Sequence, residues 1–382
     1  MPRRIVLLCL AVGLLGLLGA LAAFPVPAGA GAPLATPFEH NVGIIYDPWF
    51  QSWTSYSPEQ QAAYVNADLD TLTRDFRLFH TYHDVAVGTP DLEVDGGQAA
   101  IMQYAKAHPD LGIEVFLCTN EATPGAAALG SPGYAAKWVQ AVLLDPLGDK
   151  ESVLKVVKAI GLGNEVDSQT VFSAAEMGTA MQNLTKALSD AGLGGIPVTT
   201  TIANLKDNKV AAGYVDQVVA NWQKAWGTEF VGANNYPWMQ NGDVDTLKTW
   251  YADVQQEYPS LGIYITETGY PYVSDPKGSF DAKFPAVSGG AGEYDFTTGL
   301  LDWLHLQYVS PKTNGHTVPT FLFSGTDMPK KVAGDPTCSE NNYGLYKRDP
   351  KTNALTLMTD SKGRTLQLPA WLAQTHAEAN QK

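Results

Sequence analysis

Short apolar, β-branched runs recur along the chain at 41–46 (NVGIIY), 75–80 (DFRLFH), 112–118 (GIEVFLC) and 157–163 (VKAIGLG). Four more lie at 196–202 (IPVTTTI), 229–234 (EFVGAN), 262–267 (GIYITE) and 319–324 (PTFLFS). They are too short for helices and lack strict apolar–polar alternation, the pattern expected of strands covered on both faces. Helical stretches separate them. Ser57-Pro58-Glu59-Gln60 reads as an N-cap, a proline at the first helical position and a capping-box glutamine. Ser173-Ala174-Ala175-Glu176 is a second capping box, and its helix is expected to stop at Gly192. Further helices are expected at 97–108, 133–144, 214–226, 244–258, 294–309 and 369–380.

Eight strands alternating with helices predict a single-domain α/β fold, a closed (β/α)8 TIM barrel spanning 41–382. A doubly wound open sheet is disfavoured because no GxGxxG follows the first strand. The glycine-rich patch at 287–293 (VSGGAGE) follows no strand and lacks a Lys-Ser/Thr ending, so it reads as a flexible loop.

The first thirty residues stand apart. A basic start (Pro2-Arg3-Arg4), an uncharged run from Ile5 to Phe24 and an A-x-A pattern at Ala28-Gly29-Ala30 fit a secretory signal. The run 5–24 is also long enough to span a bilayer, so an uncleaved membrane tether is the alternative. Either places the remainder outside the cytoplasm, secreted, periplasmic or anchored, with 31–40 as a short linker. The 382 residues carry a net charge of −14, which becomes −16 once the two arginines of 1–30 are removed. That balance argues against nucleic acid, whose binding draws on a basic face. Cys118 and Cys338 do not make a disulfide framework and are read as separate thiols. His80, Tyr82 and His83 form no metal-ligand pattern, and no metal or cofactor is implied.

In such barrels chemistry sits at the carboxyl ends of the strands. Strand 4 ends in Gly163-Asn164-Glu165 and strand 7 in Thr266-Glu267-Thr268-Gly269. The two glutamates lie 102 residues apart (165 to 267), which matches three β/α units of roughly 30–35 residues. Two partly desolvated carboxylates facing one barrel mouth suit an acid and a nucleophile at one glycosidic bond. Trp49, Trp53, Tyr82, Trp238, Tyr270 and Tyr272 fall at or just past strand ends, where aromatic faces could carry sugar rings.

Four segments carry a family resemblance. GLGNEVD (161–167) resembles the V-G-N-E segment of glycoside hydrolase family 17, and NNYPWM (234–239), which contains Asn234, its N-x-Y-P-Y-F segment. TETGYPY (266–272) is similar to S-E-x-G-W-P and ENNYGLY (340–346) to E-x-x-F-G-L-F. The resemblance implies a retaining enzyme acting on β-1,3-glucan, with Glu165 as general acid/base and Glu267 as nucleophile. It implies that Asn164 meets the sugar 2-hydroxyl, that Tyr236 lies near the nucleophile and that Tyr46 ends strand 1 in the site. Asp327 and Lys330 match a Glu and Lys pair after strand 8, and Glu340 the glutamate before Gly-Leu. Asp327 is one methylene shorter than the family's residue; Tyr270 replaces a Trp and Trp238 a Tyr. Hydrolysis is the leading outcome, with transglycosylation of β-1,3-glucan as the alternative. A non-catalytic glucan-binding protein is the competing class. A monomer is expected.

Overall fold

The computed structural model describes residues 36–47, 56–82, 96–119, 128–169, 173–277, 281–310, 317–329, 331–332 and 334–379. All eight runs are strands, somewhat trimmed: β1 Val42–Ile45, β2 Leu78–Thr81, β3 Glu114–Cys118, β4 Val157–Gly161, β5 Val198–Thr199, β6 Thr201–Ile202, β7 Phe230–Asn234, β8 Gly262–Thr268 and β9 Thr320–Leu322. The run at 196–202 supplies both β5 and β6, interrupted at Thr200. The sheet is parallel throughout in the order β5-β4-β3-β2-β1-β9-β8-β7-β6. Its two terminal members are pieces of one strand, so the order closes on itself as a TIM barrel.

The capping signals operate as read. Ser57 caps the helix Pro58–Leu72 and Ser173 the helix Ala174–Asp190, each with a reciprocal box. The helix expected at 214–226 begins earlier, at Lys209, where Asn208 supplies the cap. The stretch 369–380 is two short turns, Ala370–Ala373 and His376–Ala379. A hairpin of β10 Tyr346–Arg348 and β11 Leu355–Leu357, unforeseen in the sequence, follows the barrel.

Two apolar layers organise the molecule. One lies between strands and helices and includes Val65, Leu69, Leu117, Trp138, Val231 and Leu300. The other fills the barrel itself with Ile45, Leu78, Phe116, Phe230, Tyr264 and Phe321. Phe38 belongs to this inner layer at 2% exposure, its ring 5.9 Å from Phe116 and from Phe321 and 6.0 Å from Tyr264. Residues 36–40 are therefore packed structure rather than the expected linker. The Glu39 and His40 amides donate to the buried Glu114 carboxylate at 2.9 and 3.1 Å, beside an imidazole contact of 2.9 Å. Glu114 opens β3, so this segment closes the amino-terminal end of the barrel.

Candidate active site

At the opposite end, β4 and β8 deliver the two glutamates. The chain leaves β4 through Gly163 (φ +74°) and then Glu165 (φ +51°). A non-glycine residue rarely adopts that left-handed backbone, and where it persists the surroundings must hold it. Here hydroxyl and thiol groups from neighbouring strands do so. Gly163 N–H donates to Thr119 Oγ1 (2.9 Å), Cys118 Sγ donates to the Gly163 carbonyl (3.1 Å) and Thr200 Oγ1 to the Leu162 carbonyl (2.8 Å). Cys118 and Cys338 form no disulfide.

Glu267 sits within β8 where the register slips against both neighbours, between Ala233 and Asn234 on one side and Ile265 and Thr268 on the other. Such irregularities re-aim side chains beside active sites. Its carboxylate is 6% exposed and fully engaged. Oε1 accepts from Asn164 Nδ2 at 3.0 Å and from the Tyr82 hydroxyl, and Oε2 accepts from the Tyr236 hydroxyl at 2.5 Å. Gly269, two residues on, is required by space: a Cβ there would lie 2.2 Å from the Phe323 carbonyl oxygen.

Two amides connect the glutamates. Asn234 Nδ2 donates to Glu165 Oε1 and to Asn164 Oδ1, each at 3.2 Å, while Asn164 turns its own Nδ2 to Glu267. Thr266 Oγ1 donates to Asn234 Oδ1 at 2.8 Å and so fixes which way that amide faces. The result is a continuous chain, Glu165–Asn234–Asn164–Glu267.

The electrostatics separate the two acids. Burial, and then the charge of Glu267, push Glu165 up to about 7, against the pull of the Asn234 hydrogen bond. Glu165 thus keeps its proton below neutrality and begins to lose it there. Glu267 is raised as well: burial, helped by the Glu340 charge, outweighs the Tyr236 and Tyr82 hydroxyls and the Lys331 cation, which pull towards the ionised form. Both phenols are held well above their ordinary range, by burial and then by Glu267, and remain donors.

The other expected site residues divide into those near the pair and those turned away. Glu340 lies nearby, bonded at 2.8 Å to Lys331 Nζ, which sits 4.8 Å over the Phe323 ring. Lys330, together with Trp49 and Trp53, lies outside the described residues; the described lysine acting on Glu267 is Lys331. Tyr46 is fully buried and donates to Asp68 Oδ2 at 2.7 Å, an oxygen also bonded by Arg348, which places its hydroxyl in the barrel wall. Asp327 accepts from Lys347 Nζ and from Gly344 N–H, each at 2.9 Å, and serves the turn into β10. That turn explains the glycine of the GLY segment: a Cβ on Gly344 would lie 2.1 Å from the Asp327 nitrogen.

Trp238 offers no sugar platform. It is fully buried, packs on Phe284 and donates from Nε1 to the Tyr343 hydroxyl at 2.8 Å. Tyr270 and Tyr272 are half-buried, and the patch 287–293 is seated on them: Cβ atoms at Gly292 and Gly290 would meet their rings at 2.3 and 2.4 Å. The patch is a packed junction opening the helix Ala291–Tyr308 rather than the flexible loop expected. Sequence reasoning placed Tyr82 among the aromatic platforms and missed its bond to Glu267. The signal was present in the period-2 spacing of His80 and Tyr82 at the end of β2, which sends both side chains to one side of the strand.

No family model and no curated protein matches the chain. Solved structures match its fold. A plant β-glucan endohydrolase is 18% identical, covering 80% of this chain and 96% of its own, with a TM-score of 0.53. An active-site mutant of the Rhizomucor miehei β-1,3-glucanosyltransferase, in complex with laminaritriose, is 16% identical, covering 86% and 97%, with a TM-score of 0.52. The AHE enzyme from Alicyclobacillus herbarius is 12% identical, covering 92% and 99%, with a TM-score of 0.53. At these identities the likeness is one of fold.

Proposed function

We propose that the protein is a retaining glycosidase acting on β-1,3-glucan, of the glycoside hydrolase family 17 kind, working outside the cytoplasm as a secreted or membrane-tethered enzyme. The observation that carries this reading is the amide-bridged pair of glutamates whose surroundings keep Glu165 protonated and load Glu267 with three donors. Unequal environments around paired carboxylates assign an acid and a nucleophile. Glu165 gives its proton to the glycosidic oxygen as Glu267 attacks the anomeric carbon, so the C–O bond to the leaving sugar breaks while a bond to the Glu267 carboxylate forms. Glu165, now ionised, takes a proton from the incoming hydroxyl, which displaces Glu267 and restores both residues.

The β-1,3 linkage is supported by the four motif segments and by the kinds of enzyme that share the fold. With water as acceptor the enzyme is a hydrolase, our leading reading. With a sugar hydroxyl it is a transglycosylase, a reading favoured by the likeness to a β-1,3-glucanosyltransferase. The deciding experiment is a time course on a linear β-1,3-gluco-oligosaccharide, with products read by mass, linkage and anomeric configuration. Shorter products of retained configuration support hydrolysis, and products longer than the substrate support transfer. Inverted products, or no turnover of this substrate, overturn the proposal.

A further inference from the structure

A buried histidine stands behind the nucleophile without touching it. His80, on β2, is fully enclosed, its ring stacked 4.5 Å from Phe116 and tilted against Phe321 at 5.1 Å. It reaches across the barrel so that Nδ1 lies 3.3 Å from the Thr266 carbonyl oxygen, one residue before Glu267, and 3.4 Å from the Tyr82 hydroxyl. Nε2 has no partner.

These contacts define the tautomer. A carbonyl oxygen can only accept, so Nδ1 must carry the hydrogen. The alternative would put an N–H at Nε2, a buried donor with nothing to bond, which is costlier than an idle lone pair. Burial lowers the imidazole to about 3, against the raising effect of the Thr266 carbonyl, so the ring stays neutral over the working range. With its one hydrogen on Nδ1, shared between the Thr266 carbonyl and the Tyr82 oxygen, His80 offers the phenol a weak donor and no acceptor. The phenolic hydrogen then has one destination, Glu267 Oε1.

We infer that His80 is a positioning residue that sets the direction of the Tyr82-to-Glu267 hydrogen bond and thereby favours the ionised form of the nucleophile. The inference rests on the reading of Glu267 given above. The N–H of His80 polarises the phenol into a better donor, as in any chain of hydrogen bonds. The other charged groups around Glu267 are Glu165 after β4, and Lys331 and Glu340 after β9, with the Tyr236 phenol after β7. Tyr82, the further phenol bonded to Glu267, is the one in contact with His80 among the described residues.

Two substitutions separate positioning from packing. His80→Asn keeps a donor near the Nδ1 position, whereas His80→Leu keeps bulk and removes it. His80→Leu is expected to lower kcat/KM about tenfold and to raise the acid limb of the pH profile by roughly one unit, with His80→Asn recovering most of both. Because the effect runs through Tyr82, the double variant with Tyr82→Phe should be no worse than Tyr82→Phe alone. Additive losses, an unmoved acid limb, or His80→Asn as impaired as His80→Leu would overturn the inference. Imidazole 15N shifts of the wild-type protein read the tautomer without any activity. A hydrogen on Nδ1 and a bare Nε2 are expected, and the opposite tautomer or a doubly protonated ring overturns the inference even if β-1,3-glucan is the substrate. If that glucan is not turned over while the expected tautomer is seen, it is the proposed function that fails.

Discussion

The two ends of the barrel are built from opposite materials. The amino-terminal end is closed by Phe38 among aromatic rings, with a buried acid, Glu114, bonded by the Glu39 and His40 amides and the His40 ring and 3.8 Å from Lys158 Nζ. The carboxyl-terminal end holds two glutamates, two amides and two phenols in one hydrogen-bonded chain, with one acid in left-handed backbone. The lower end is organised as protein interiors are, by filling space. The upper end keeps costly groups, buried carboxylates that resist ionisation, and the remaining contacts hold them there. The difference locates stability at one end and chemistry at the other, the division expected of this barrel.

That division is testable from its largest consequence downward. Glu267→Gln should abolish turnover of β-1,3-glucan, by at least about 10³-fold, while the protein remains folded by circular dichroism. Should Glu267→Gln retain turnover, Glu267 is not the nucleophile and the contrast collapses. At the lower end Phe38→Ala should cost about 3–5 kcal/mol in denaturant unfolding with kcat unchanged for the molecules that remain folded. A fall in kcat comparable to that in stability would show that the ends are coupled.

Titration gives the next effect. Glu165 must be protonated to act as an acid, so kcat/KM should fall as pH rises through about 7. Stability should move in the same direction. Burial sets Glu165 near 7 and Glu293 near 8, both above an unfolded carboxylate. A raised folded value means that stability is full below the ordinary carboxylate range and is lost as pH rises through the folded values. Thermal unfolding should therefore drop from pH 5 to pH 9, and less so in Glu165→Gln, which removes one of these ionisations. An unchanged drop in that variant would contradict the burial of the acid. The smallest effect is expected at Asp327: because it bonds Lys347 and Gly344, Asp327→Asn should change kcat/KM by less than about threefold. A larger loss would bring it back to the substrate.

Much of this was legible in the chain because the barrel layer is doubly covered. Its strands are apolar runs with no polar face, and Glu165 and Glu267 stand out as the first carboxylates after two of them. What was not legible depends on distant partners. Tyr46 meets Asp68, which is claimed in turn by Arg348 at a separation of 280 residues. The hairpin carrying Arg348 has strands of only three residues, too short to give a periodic signal. Trp238 is sealed by Phe284 and Tyr343 from separate loops, so its position after a strand misleads. The described lysine beside Glu267 is Lys331, the sequence neighbour of Lys330, which the motif indicates and which lies outside the described residues.

The central claim, that Glu267 is the group that bonds to the sugar, is tested most directly by trapping. Incubation with a 2-deoxy-2-fluoro β-glucosyl donor extended by β-1,3-linked glucose, followed by peptide mass mapping, should place one stoichiometric glycosyl adduct on Glu267. An adduct on Glu165, or steady turnover of β-1,3-glucan with inverted products and no adduct, would contradict it.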